Sequence, residues 1–153
     1  MHPALSFLAA LIALGGLGFD TSEVATATAP RPQAAVFTYD SFTARHHELV
    51  DWALALFDQA NLDLPSVHFV ASAGYEPCRG GSGIARHDDR ASEITLCGER
   101  IGPAYDWLVL HELAHAFERH GLDDARREAF LALRGMTAWR EGGWHDRGAE
   151  HAA

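Results

Sequence analysis

The chain has 153 residues, of which 48% are hydrophobic, which is enough for one domain with a core but too few for two. Its 12 basic residues are all arginine, and 21 acidic residues outnumber them to give a net charge of −9. This charge and the scattered positions of the arginines argue against a nucleic-acid partner and against an anionic membrane surface.

The N-terminal segment has the composition of an export signal. Residues 4–19 are almost entirely apolar, and a stretch rich in Thr, Ala and Pro follows. The apolar run is too short for a secure membrane span, and the small residues near Ala27 and Ala29 suit signal cleavage. Few positive charges precede the run, so an uncleaved anchor is the alternative. Both alternatives predict a secreted or extracytoplasmic protein, with stable membrane insertion only if the anchor is retained.

These features divide the chain into three parts. Residues 1–29 are predicted to be a signal peptide or N-terminal anchor. Residues 30–40, which contain Pro30 and Pro32, are predicted to be a linker. Residues 41–153 are predicted to form one folded domain.

Cys78 and Cys97 both lie in the part expected to be exported. An even number of cysteines in an oxidising compartment favours a disulfide over the alternative of two buried free thiols. Such a bond would close a loop of about 20 residues and stabilise the fold by about 3 kcal/mol.

Four segments between residues 41 and 97 have recognisable patterns. Apolar residues recur at helical spacing in 41–60, which predicts a helix capped by Ser41 or Thr43. Residues 67–70 and 94–97 have the β-branched and aromatic content of short strands. Glycines and charges in 73–90 predict a loop or an irregular hairpin.

The next predicted helix spans residues 105–119 and ends at Gly121 in the manner of a glycine C-cap. It has a core face and a second, less apolar face that contains His111 and His115. A further helix is predicted from Asp123 or Asp124 to about residue 133, and a final helical segment at residues 147–153.

Residues 111–115 read His-Glu-Leu-Ala-His. On a helix, His111 and His115 project from one side one turn apart and can bind a single metal ion. The carboxylate of Glu112 can reach a water molecule on that ion and act as a general base. Zn²⁺ is the expected ion, because it accepts imidazole and carboxylate ligands and keeps a fourth position open.

The pattern leaves several candidates for the third metal ligand. The metzincin motif needs Gly at position 118 and His at position 121, but this chain has Glu118 and Gly121. The gluzincin arrangement takes a glutamate from a later helix, and Glu150 fits it best. The alternatives are His151, Glu128, Asp146 and His145.

The chain thus resembles a small bacterial zincin metallopeptidase of the gluzincin kind, through the 111–115 motif, the helix after it and the segment 150–153. The resemblance implies an α+β fold in which a small mixed or antiparallel sheet packs on an active-site helix. It also implies that an edge strand above this helix pairs with an extended peptide or protein substrate, and residues 94–96 are the candidate for that strand.

The expected function is zinc-dependent hydrolysis of peptide bonds, in which Glu112 activates a zinc-bound water. A second donor for the oxyanion cannot be ranked by sequence, and the candidates are Tyr105, His120, Arg127, His145 and Arg147. Two alternatives belong to other classes: a catalytically degenerate zinc-binding module used for partner recognition, and a non-catalytic extracellular domain stabilised by its disulfide.

Overall fold

A computed structural model of the protein describes residues 34–98, 102, 104–143 and 146–153. The predicted signal peptide or anchor, residues 30–33 of the predicted linker, and His145 lie outside these residues. Within the described ranges, no helix is both long enough and apolar enough to cross a membrane.

The described residues form a mixed α+β fold with a four-stranded sheet and four α-helices. A 3₁₀ turn at Glu76–Cys78 precedes the third strand. In chain order the elements are β1 (Phe37–Asp40), α1 (Ala44–Gln59), β2 (Ser66–Ser72), β3 (Gly83–His87), β4 (Ala91–Cys97), α2 (Tyr105–Gly121), α3 (Asp124–Arg134) and α4 (Gly148–Ala152).

The sheet is mixed, in the order β1-β2-β4-β3. β1 and β2 pair in parallel, β2 and β4 pair in parallel, and β3 runs antiparallel to β4 at the edge. The expectation that residues 94–96 form the edge strand above the motif helix is therefore wrong, because they lie in β4 between two neighbours. β3 occupies that edge, and it comes from the segment expected to be a loop or irregular hairpin.

The turn between β3 and β4 is held by one aspartate. The Oδ1 atom of Asp88 accepts hydrogen bonds from the backbone N–H groups of Arg90 and Ala91, at 2.7 and 2.8 Å. This local pairing lets a glycine-containing segment join the sheet despite its weak strand propensity.

The core lies between one face of the sheet and the two long helices α1 and α2. Thr43 is the N-cap of α1, as predicted. Its hydroxyl accepts a hydrogen bond from the backbone N–H of His46, and Nδ1 of the His46 ring accepts one from the backbone N–H of Thr43. The central strands and the inner faces of both helices contribute fully buried side chains, among them Val50, Phe57, Val67, Phe69, Ile94, Leu96, Val109 and Leu113.

Helix α2 extends to Gly121, two residues beyond the predicted end, and its C-cap is Leu122. Gly121 is therefore a helical residue, and its prediction as a left-handed cap is wrong. Its lack of a side chain matters for packing, since a Cβ there would lie 2.7 Å from the Phe117 ring.

The chain after α2 turns back on it. Asp123 caps α3 by accepting from the backbone of Arg126, and Gly135 ends α3 in the left-handed conformation. Gly148 then donates a backbone hydrogen bond to Ala138, and a Cβ at Gly148 would lie 2.6 Å from Leu131. This close approach seats α4 against α2 and α3.

Cys78 and Cys97 form the expected disulfide, with a Cα–Cα distance of 6.2 Å. It joins the 3₁₀ turn before β3 to the end of β4, so the β3–β4 hairpin is closed by a covalent link. Residues 37–40 of the predicted linker form β1 and belong to the folded domain.

Candidate metal centre

His111 and His115 lie on one side of α2, as their spacing of four predicts. Both rings are partly buried, and their Nε2 atoms are 3.2 Å apart. Two ring nitrogens this close need a shared cation or a proton between them, because their lone pairs repel each other.

Glu150, from α4, completes a group of three donors. Its Oε2 atom lies 3.6 Å from Nε2 of His111 and 3.5 Å from Nε2 of His115. Ligands that bind zinc tetrahedrally at about 2.0–2.1 Å are about 3.3 Å from one another. The separations in this group are close to that value, so its shape and chemistry fit a zinc ion.

The alternative third ligands do not join this group. Glu128 is exposed on α3, and Asp146 is exposed before α4. Nδ1 of His151 lies 3.2 Å from the guanidinium of Arg134. Among the described residues, only Glu150 joins the two histidines of the motif in a group that could hold a metal ion.

Glu112 is only 5% exposed, although it is a carboxylic acid. It faces β3, where a Cβ at Gly83 would lie 2.6 Å from its Oε1 atom, so the absence of a side chain at position 83 makes room for it. The backbone of Ala85 hydrogen bonds to the carboxylate. Burial raises the pKa of Glu112 to about 7, and the negative charge of Glu150 acts in the same direction. A pKa near neutrality suits a general base.

Glu118 lies one turn beyond His115, with its side chain 3% exposed. Its Oε1 atom is 3.4 Å from Nδ1 of His115, and it accepts from that nitrogen. Burial alone would lower the pKa of His115, but the hydrogen bond and charge of Glu118 outweigh it and raise the pKa. With its proton on Nδ1, His115 directs the Nε2 lone pair at the space between the three donors, where a metal ion could bind.

His111 has a different environment. Burial lowers its pKa, and the neighbouring His115 acts in the same direction. A hydrogen bond with the backbone of Ala153 opposes this shift. A low pKa keeps the imidazole neutral, which is the form that binds a metal.

The three donors face an open cavity of about 400 Å³ between α2, β3 and α4. Besides the motif and Glu150, it is lined by Gly83, Ile84, Ala85, His87, Glu118, Arg140, Arg147 and Ala149. The carboxylate of Glu112 and the three donors thus share one solvent-accessible space.

The edge strand β3 directs backbone groups away from the sheet. Cys97 donates to Ser82 and Asp88 donates to Ala91 across the β3–β4 hairpin. Hydrogen-bonded and non-bonded residues alternate in an antiparallel pair. Gly83, Ala85 and His87 therefore direct their N–H and C=O groups away from β4.

The structure distinguishes among the residues that were candidates to stabilise the oxyanion. Arg147 lines the cavity, whereas Tyr105, His120 and Arg127 do not, and His145 is outside the described residues. Arg127 instead donates to the backbone of Glu118 at the end of α2.

Sequence reasoning missed three polar residues of the cavity: His87, Glu118 and Arg140. For Glu118 a signal was available, because it lies three residues after His115 on the same helical face. His87 and Arg140 had none, since a strand within a glycine-rich segment and an irregular segment bring them to the cavity.

Comparison of the chain with protein-family models, with curated proteins and with solved structures gives no match. The geometry and chemistry of the site are therefore the basis on which a function can be proposed.

Proposed function

We propose that the protein is a zinc-dependent peptidase with a small zincin fold of the gluzincin kind. The observation that carries this proposal is the convergence of His111, His115 and Glu150 at tetrahedral ligand spacing. The buried carboxylate of Glu112 beside them supplies a base, and the open cavity supplies access for a substrate.

In this mechanism His111, His115 and Glu150 would hold a zinc ion. A bound Zn²⁺ supplies Lewis-acid polarisation of a carbonyl and lowers the pKa of water. Glu112 takes a proton from the attacking water, whose oxygen bonds to the peptide carbonyl carbon. When the C–N bond breaks, Glu112 passes that proton to the leaving amine.

The chemistry of β3 supports a peptide as the substrate. The outward N–H and C=O groups of Gly83 and His87, and the C=O of Ala85, can pair with an extended backbone, as in strand addition to a sheet edge. The N–H of Ala85 already donates to Glu112. The cavity lies along that edge, so a paired peptide would bring its carbonyl groups next to Glu112.

The disulfide between Cys78 and Cys97 is compatible with folding outside the cytoplasm, where such bonds persist. We propose the same location for the peptidase activity. The N-terminal segment would then be the export signal or anchor.

The decisive experiment combines metal analysis with a base variant. The purified protein should contain about one equivalent of zinc and should cleave a mixed peptide library, as detected by mass spectrometry. Glu112→Ala should keep the zinc and lose hydrolysis by about 100-fold or more, because general-base catalysis is lost.

The matched control is Glu128→Ala, which removes an exposed glutamate and should retain both the zinc and the hydrolysis. Zinc binding without hydrolysis in the wild type would favour a degenerate binding module. A folded protein that binds no zinc would contradict the proposal and leave a disulfide-stabilised domain.

A further inference from the structure

Two arginines line the cavity beside the proposed metal ligands. Arg140 lies in the segment between α3 and α4, and Arg147 directly precedes α4, which carries Glu150. Their positive charge contrasts with the net charge of −9 for the whole chain. Two guanidinium groups in a concave site create a local potential that attracts an anion.

Both guanidinium groups retain free donors. Nε of Arg147 donates to the backbone oxygen of Gly142 at 3.1 Å, but its terminal nitrogens have no acceptor among the described residues. Arg140 forms an ion pair with Glu118, but its Nη2 atom is 3.6 Å from Oε1 of Glu118, which is longer than a hydrogen bond. The planar donors of arginine match the two oxygens of a carboxylate.

The two arginines lie close to the proposed metal ligands. Glu118 contacts both Arg140 and the metal ligand His115, at 3.6 and 3.4 Å. Arg147 lies three residues before Glu150. An anion held by the two arginines would therefore lie next to the metal centre.

The charge of the cavity also permits an anion. Three glutamates line it, at positions 112, 118 and 150. With a divalent cation bound, the cation and the two arginines together exceed these carboxylates by one positive charge. An incoming carboxylate is then attracted rather than repelled.

We propose that Arg140 and Arg147 form a subsite for a carboxylate of the peptide substrate, close to the scissile bond. This inference rests on the proposed peptidase function. The carboxylate comes from an acidic side chain or from a free C-terminus of the peptide, since these are the anionic groups of an unmodified peptide.

The test compares matched peptides with the metal-loaded protein. One arm pairs Glu with Gln at each position around the cleaved bond, and the other pairs a free C-terminus with its amide. We expect kcat/KM to be about 10-fold or more higher for the carboxylate peptide in one arm, as for a hydrogen-bonded charge pair. Arg140→Gln combined with Arg147→Gln should reduce this ratio to about two-fold or less.

The ratio of kcat/KM for two matched peptides is measured on one preparation of each variant. Incomplete folding lowers both values equally and does not change their ratio. Arg45→Gln is the control, because Arg45 lies on α1 with an exposed side chain paired to Glu48. This variant should keep the wild-type ratio. An equal rate for both peptides in each arm, or a preference that survives in the double variant, would overturn the subsite but not the peptidase.

Absence of any hydrolysis would instead overturn the proposed function. Direct binding of dansylated Glu and Gln peptides, in free-acid and amide forms, to Glu112→Gln then tests the subsite separately. Tighter binding of the carboxylate form that depends on Arg140 and Arg147 supports it. Equal binding of the two forms rejects it.

Discussion

At the scale of single residues, the site depends on how buried carboxylates are partnered. Glu118 is 2% exposed, and its Oε2 atom has no hydrogen-bond partner among the described residues. A buried carboxylate with one oxygen unpartnered destabilises a fold unless its charge is compensated. Its contacts with His115 and with the Arg140 guanidinium offer that compensation. The contribution of His115 is greatest when the histidine binds a cation through its other nitrogen.

We predict that Glu118→Gln weakens zinc affinity by about 10-fold or more, because a second carboxylate that orients a metal-binding histidine contributes that much. Competition with a chromophoric chelator measures the affinity. Glu128→Gln, on the exposed side of α3, should leave the affinity unchanged. Equal zinc affinity for Glu118→Gln and the wild type would show that Glu118 does not orient His115.

His87 gives a second prediction, for stability against pH. Burial lowers its pKa to about 4, and the cationic groups that face it act in the same direction: His120, His115, Arg140 and Arg119. The unfolded chain takes up the proton near pH 6.5 and the folded chain only near pH 4, so stability is lost as the pH falls through this window.

His87→Gln should remove this loss. Between pH 7 and pH 5, the free energy of unfolding should fall by about 1 kcal/mol more in the wild type than in the variant, after allowance for partial exposure. Urea unfolding in excess EDTA measures this difference without a contribution from bound metal. The same pH dependence in both proteins would argue against a neutral, desolvated His87.

At the scale of elements, β3 combines an open edge with a close approach to α2. A Cβ at Gly83 would lie 2.7 Å from Cδ1 of Leu108, as well as 2.6 Å from Glu112. The strand therefore sits directly on the helix that carries the motif. Because Gly83 has no side chain, the open edge of β3 can lie close to Glu112, the proposed base.

We predict that Gly83→Ala displaces the Glu112 carboxylate and lowers kcat by about 10-fold or more, since small displacements of a catalytic group are costly. Zinc content should not change, because the three atoms nearest to a Cβ at position 83 belong to Glu112 and Leu108, and neither residue is a proposed ligand. The control is Gly74→Ala, where a Cβ would meet nothing within 4 Å. Unchanged kcat in Gly83→Ala would contradict the role of this contact.

At the scale of the whole molecule, the disulfide is the covalent constraint on the hairpin. It spans 19 residues between Cys78 and Cys97. A loop of this size restricts the unfolded chain and stabilises the folded state by about 3 kcal/mol.

Replacement of both cysteines by serine should therefore lower the free energy of unfolding by about 3 kcal/mol in denaturant titrations. A reductant should destabilise the wild type by a similar amount and leave the double variant unaffected. A loss below about 1 kcal/mol would mean that strain in the folded state offsets the loop constraint.

The sequence predicted those parts of the fold that have strong local patterns. The helical spacing in α1 and α2, the Thr43 and Asp123 caps, and the disulfide were all confirmed. β1 and β3 were missed, because neither has a continuous run of buried apolar side chains. Strand identity there depends on pairing with β2 and β4, which local sequence does not encode.

For the same reason, only part of the candidate site could be predicted from the sequence. The motif on α2 follows from helical geometry alone, whereas the choice of Glu150 over Glu128 or His151 depends on how the chain returns after α3. That return depends on the contact of Gly148 with Leu131 and on backbone bonds to residues 138 and 139. Such contacts join distant segments and leave no periodic signal.

Helix α4 has only five residues, yet it carries the proposed third ligand. A helix this short has little stability of its own. On the proposal that the site binds a divalent cation, the ion ties α4 to α2 as a reversible cross-link. Above the dissociation constant, each tenfold rise in free cation would then add about 1.4 kcal/mol to the stability of the folded chain. On the further proposal that the protein is exported, the metal concentration outside the cell would set its folding stability as well as its proposed activity.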